Sequence, residues 1–183
     1  MNKWKAILKT GSGVFATIPG LGVLLSNIGV PPDSSKYLFC GIIESFGVFT
    51  LLILRFNSGF FKSLPIKTIN RLAIVSIVTF GVTLFLYLFL FNQYVVGYKD
   101  SKPLFFPVWP QGELKQGLQE MGSKANLIKE WGRDDVHTVI QSSSSAMLNY
   151  SMLLFLLIYQ LVFVSLTFAF GILSIRVSEI DRG

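Results

Sequence analysis

Residues 72–96, LAIVSIVTFGVTLFLYLFLFNQYVV, decide how this chain is read, because they contain no Lys, Arg, His, Asp or Glu. Within them, Phe85 to Phe91 is apolar around the whole circumference of a helix, so no face is reserved for water. The run exceeds the roughly 18 to 20 residues that cross about 30 Å of hydrocarbon. Three further runs have the same character: Gly11 to Val30, Tyr37 to Leu54 and Ala146 to Ile175. The expectation is an all-α membrane protein with four transmembrane helices.

Composition agrees. The 183 residues are 51% hydrophobic and 14% charged, with a mean hydropathy of +0.57, more apolar surface than a soluble domain of this size can hide. The net charge of +6 is spread along the connections and forms no stripe of the kind that reads nucleic acid, so direct nucleic-acid binding is not expected. The single cysteine, Cys40, lies in the second run and excludes an intramolecular disulfide. Trp4, Lys5 and Lys9 before an apolar run imitate a signal peptide, but Ser26 to Pro32 offers no small-x-small cleavage site. An uncleaved first span is therefore expected.

The connections set the orientation. Lys3, Lys5 and Lys9 precede the first run, and the link after the second carries Arg55, Lys62, Lys67 and Arg71 with no acidic residue. By the positive-inside bias that link is cytoplasmic, both termini are cytoplasmic, and Gly97 to Ser145 lies outside as a cap. The division is then 1–96 for helices one to three with the basic link 55–71, 97–145 for the cap, and 146–183 for helix four and its tail. Tyr37, Tyr94, Tyr98, Trp109 and Tyr150 fall near the outer boundary, and Trp4, Phe60 and Phe61 near the inner one.

The cap opens with Lys102 to Pro110, where three prolines forbid helix and favour an extended or turning chain. Glu113 to Met121, Lys124 to Trp131 and Asp134 to Ser142 then read as short helices separated by Gly122 and Gly132. Glu120 and Lys124 are spaced for an i,i+4 pair. Asp134 reads as an N-cap, and the last short helix as continuous with the fourth span.

Few residues carry chemistry. Glu44 is the one carboxylate well inside a run and a functional candidate by default, either protonated, bonded to polar groups such as Gln160 or Ser165, or wetted in an oligomer's central cavity. Asn149 and Gln160 are the other intramembrane polar residues, suited to bonding across helices. Small residues at four-residue spacing, Ser12, Ala16 and Gly20 with Gly41 and Ser45, suit close helix packing. His137 lacks a second imidazole or thiolate for a metal, and the Ser142 to Ser145 run lacks a base. Neither catalysis nor a cofactor is expected. Arg55, Lys62, Lys67 and Arg71, beside Phe56, Phe60 and Phe61, form a surface for a cytoplasmic partner or for anionic lipid.

Size, four spans, both termini inside and one compact outer segment resemble the KwaA-type membrane subunits of the Kiwa anti-phage defence system. The resemblance is one of layout over the whole chain, from Met1 through Gly97 to Ser145 to the Arg176 to Gly183 tail, and no family motif is matched residue by residue. It implies a non-enzymatic, homo-oligomeric sensor in the bacterial inner membrane that responds to phage attachment or injection and signals to a cytosolic effector protein. Two other readings stay open: an oligomeric ion channel or pore-forming effector, with Glu44, Gln160 or Asn149 on a wet path, and a membrane immunity protein against a pore-forming toxin. Tetraspanins share the loop order but depend on outer-loop cysteines that this chain lacks.

Overall fold

The computed structural model describes Gly11, residues 36–98 and residues 101–180. The first expected span, with Ser12, Ala16 and Gly20, lies outside the described residues. Nearly all the rest is helical: α1 (Lys36–Phe56), α2 (Ser58–Ser63), α3 (Ile66–Tyr94), strands β1 (Val95–Tyr98) and β2 (Ser101–Phe105), then α4 (Gly112–Met121), α5 (Lys124–Trp131), α6 (Arg133–Ser143) and α7 (Ser145–Ile180). They divide into two compact units, one of residues 36–86 with 158–180, the other of residues 87–157.

In the first unit, α1 stops at Asn57 and the chain turns through α2. Leu64, placed before Pro65, is extended (φ −73°, ψ 142°), as the proline ring requires of its predecessor. Pro65 then starts α3, its carbonyl accepting from Thr68 and Ile69 at 2.8 and 3.2 Å. Leu54, Ile69, Ala73 and Ile172 form a buried cluster, with Phe61, Leu64, Leu72, Phe168 and Leu173 packed around it. Gly171 lets α7 take part, since a Cβ there would collide with Leu54.

Helices α3 and α7 are long and apolar enough to cross a bilayer: 29 residues at a mean hydropathy of 2.5, and 31 residues, Ser145–Ile175, at 2.4. Only 11% of the apolar stretch of α3 is buried, against 44% of that of α7. The face α3 turns inward carries small or hydroxylated residues such as Ala73, Ser76 and Thr83. Its exposed side carries Ile74, Val75, Ile77, Val78, Val82, Phe85, Leu86, Leu88 and Phe89, each at least 41% exposed. Ser76 and Thr83 donate back to Leu72 and Thr79 of their own helix, at 2.8 and 2.7 Å, so neither hydroxyl needs a partner from another helix.

The second unit departs from the all-α expectation. The run expected to stay helical to Val96 ends at Tyr94, and Val95 and Val96 pair antiparallel with Phe105 and Leu104. The pairing is irregular between Val96 and Tyr98, in a hairpin whose second strand carries Pro103, a residue that cannot donate to a ladder and is confined to such places. Phe106 N–H closes the junction by donating to the Tyr94 carbonyl at 2.9 Å.

The three short helices occupy the expected segments. Gly122 (φ 69°) terminates α4 in the left-handed region, and Ser123 caps α5 by accepting from Asn126 N–H at 3.1 Å. Gly117 is equally specific, because a Cβ there would lie 2.7 Å from Trp131 Cζ2 and 2.9 Å from Leu127 Cδ1. The cap of α6 differs from expectation: Gly132 (φ 85°) holds that position, and Asp134 and Asp135 sit in the first turn, where carboxylates complement the helix dipole. Nor does α6 run into α7. Ser144 (φ −135°, ψ 20°) breaks the helix, because its hydroxyl is held by the proline-rich segment.

Candidate functional site

That segment sets the architecture of the second unit. Pro107 and Pro110 have no N–H, and serine hydroxyls on the serine-rich helix ends take up neighbouring donors. Ser151 Oγ accepts from Val108 N–H at 2.8 Å and donates to Met147 O at 2.7 Å. Ser144 Oγ accepts from Gln111 N–H at 2.9 Å and donates to the Gln111 carbonyl at 3.0 Å. Both serines are buried, so these bonds form where water competes poorly.

Phe155 is the aromatic hub. Its ring stands edge to face against Phe105 (5.1 Å), Tyr87 (6.0 Å) and Tyr94 (6.5 Å), contacts worth about 0.5–1.5 kcal/mol each beyond area burial.

Beside the hub is a recess lined by Gln93, Val96, Leu118, Gly122, Ser123, Lys124 and Ala125. Lys124 does not pair with Glu120. Its ammonium donates to the carbonyl of Gln93 and lies 4.2 Å from the Tyr94 ring centroid and 5.6 Å from that of Phe106. A cation here satisfies a carbonyl that the last turn of α3 leaves without an intrahelical donor, and it meets the negative end of the dipole. Burial holds the Lys124 ammonium below its usual 10.5. Sequence reasoning missed this role because Tyr94 and Phe106 are remote from Lys124 along the chain. The available signal was a lysine directly after Gly-Ser at a helix start, a place where a cation is otherwise unfavourable.

Among the polar candidates of the apolar runs, Glu44 and Gln160 share no hydrogen bond. Glu44 is partly exposed on α1 and shares a shallow groove with Gly41, Ser45, Val48, Phe49 and Leu52, while Ile43, Gly47 and Leu54 face inward. Gly41 and Ser45 are exposed, and a Cβ on Gly41 would meet nothing within 4 Å. Ser45 Oγ donates to Gly41 O at 2.6 Å. Asn149 is exposed on α7.

Gln160 and Thr167 are buried on α7, seven residues apart, and neither the Gln160 amide nor the Thr167 hydroxyl has a hydrogen-bond partner among the described residues. Ser165 donates to Val162 O at 3.0 Å, so Glu44 is bonded to neither of the partners considered for it. Arg55, Lys67 and Arg71 are exposed and Lys62 half-buried around the α1–α2–α3 turn. Among the described residues no three of His, Cys, Asp and Glu converge as metal ligands. Comparison with protein-family models, curated proteins and solved structures found no match.

Proposed function

We propose that this chain is a multi-pass protein of the bacterial inner membrane, acting without catalysis as a homo-oligomeric sensor and scaffold in anti-phage defence. In this reading it crosses the bilayer four times, keeps both termini and the 55–71 link in the cytoplasm, and carries Gly97 to Ser145 outside as the detecting cap. A disturbance of the envelope shifts helix packing and changes the hold on a cytosolic effector protein.

The observation that carries the membrane reading is α3, which is apolar on its exposed side from Ile74 to Phe89 and only 11% buried over its apolar stretch. The core helix of a soluble protein would have that side covered. Nine large apolar side chains between Ile74 and Phe89 are at least 41% exposed. At about 1.5–3 kcal/mol for each side chain fully withdrawn from water, leaving them hydrated sacrifices a sum comparable with the whole stability of a domain, about 5–15 kcal/mol. Lipid removes that penalty.

The sensing role rests on the layout of the chain and on two features of the fold. The 87–157 unit has a core of its own, and α3 and α7 each contribute residues to both units. Self-association is supported by Glu44, Gly41 and Ser45 on the exposed side of α1, since a carboxyl is costly against lipid and favourable in a subunit contact. The same placement favours a second reading, an ion channel with Glu44 on a wet path. Planar-bilayer recording separates them, because conductance abolished by Glu44→Ala makes the chain a channel and silent bilayers leave the sensor. Protease added to intact spheroplasts tests the orientation. Cleavage within Lys115 to Arg133 with Lys62 protected is expected, and the reverse pattern overturns it. Purification from phage-challenged cells should bring down one cytosolic protein, and its consistent absence refutes the scaffold.

A further inference from the structure

We infer that the α1–α2–α3 elbow is a binding surface for anionic phospholipid headgroups. The inference rests on the membrane reading above and adds which lipid the chain selects and where.

From Arg55 to Arg71 the chain has four basic residues and no acidic one. The structure arranges them around a short, anchored helix. Phe61 of α2 turns inward, standing edge to face on Phe168 of α7 at 6.2 Å, and with Leu64 it packs on the Leu54, Ile69, Ala73 and Ile172 cluster. That anchor presents Phe60 outward, 62% exposed, flanked by Phe56 at 82% and Ile66 at 62%. Large apolar side chains interleaved with cations match a surface at headgroup depth, where rings and aliphatic groups enter the acyl boundary and ammonium and guanidinium groups meet phosphate.

The placement of the charges argues against a merely solvated face. Lys67 lies in the first turn of α3, and that turn has no acidic residue, so its charge adds to the positive end of the helix dipole and is destabilising there unless an anion is near. Arg71 follows one turn later on the same side of the helix. Lys62, in the last turn of α2, and Arg55, in the last turn of α1, add to the same potential. An acidic protein would meet the charge but would leave Phe56, Phe60 and Ile66 as an unexplained apolar fringe. A leaflet accounts for both.

The test uses the full chain in neutral detergent, with retention of phosphatidylglycerol and phosphatidylcholine from an equimolar mixture read by native mass spectrometry. Phosphatidylglycerol should be retained preferentially, with each neutralised residue lowering its affinity about fivefold and added salt eroding the preference. The combined variant Arg55→Gln, Lys62→Gln, Lys67→Gln and Arg71→Gln should lose the preference, while Lys115→Gln with Lys129→Gln should keep it. If the combined variant does not insert, the single variants Lys62→Gln and Lys67→Gln carry the same readout.

Absence of a preference in the unaltered chain overturns the inference, as does a preference that survives neutralisation. Binding of soluble polyglutamate that survives salt strong enough to erase the phosphatidylglycerol preference also overturns it, by making the elbow a protein dock. Alkaline carbonate extraction of cell membranes is read separately: release of the chain refutes the membrane reading itself, whereas a retained chain without headgroup preference refutes only this inference.

Discussion

Replacing Lys124 with methionine keeps the length and apolar bulk of the stem and removes the ammonium, so it isolates what that group contributes to the second unit. Three terms decide the magnitude. Losing the hydrogen bond to the Gln93 carbonyl costs about 0.5–1.5 kcal/mol, and losing the cation from over the Tyr94 ring costs about 0.5–1 kcal/mol more at a partly exposed site. Against these, the mutant no longer desolvates a half-buried charge, the cause that lowers the lysine's pKa. The net is a loss of about 1–2 kcal/mol, or roughly 5- to 30-fold in an opening equilibrium.

Hydrogen–deuterium exchange of the full chain in detergent reads this directly, since local opening sets amide exchange. Amides of α5 and of the β1–β2 hairpin should exchange faster by that factor, with those of α1 unchanged. Glu120→Gln should have no effect, because Lys124 is turned towards Tyr94 and Gln93. If Lys124→Met exchanges like the parent, or if Glu120→Gln accelerates the same amides, the account is wrong and the i,i+4 pair is the relevant contact.

The pH response of this residue has a definite sign. The folded-state pKa is lowered from 10.5, so the unfolded chain binds the proton more tightly. The second unit should therefore gain stability as pH rises from the lowered value to 10.5, while a neutral amine keeps its bond to Gln93; denaturation of Lys124→Met should lack that rise. Ser151→Ala strands the Val108 N–H and should cost about 1–3 kcal/mol, seen as a lowered thermal midpoint, whereas Ser142→Ala, at an exposed site, should change it little. Gly117→Ala places a methyl against Trp131 and Leu127 and should destabilise by about 1–3 kcal/mol, with a red-shifted Trp131 emission; an unchanged midpoint would mean that the indole gives way freely. Gly41→Leu meets open space within the chain, so helicity should be kept while self-association, measured by light scattering, falls; unchanged association removes this side of α1 from the subunit contact.

Element by element, the legible parts of the fold are those whose cause is local. Expected helices at 113–121 and 124–131 appear as Gly112–Met121 and Lys124–Trp131, because Gly122 and Gly132 adopt backbone angles that few other residues tolerate. The expected run 37–54 appears within Lys36–Phe56 and the run 146–175 within Ser145–Ile180, since an uninterrupted apolar stretch leaves the backbone no better partner than itself. The misjudged parts have distant causes. Val95 and Val96 left the helix because Phe105 and Leu104 were available to pair with them. Lys124 exchanged a neighbour one turn away for a ring thirty residues earlier; the shift of the α6 cap from Asp134 to Gly132, two residues away, is the one local exception.

Hydropathy, charge bias and glycine punctuation are one-dimensional properties, and they sufficed for the helical character, for two stretches long and apolar enough to cross a bilayer, α3 and Ser145–Ile175 of α7, and for the short helices of the 97–145 segment. Which side of each helix is exposed, why the chain breaks at Ser144, where the Lys124 ammonium goes and how Phe60 is turned outward beside four cations were decided only in three dimensions. Hydroxyls, rings and ammonium groups find partners by proximity in space, and proximity between residues dozens of positions apart depends on packing that no local pattern encodes.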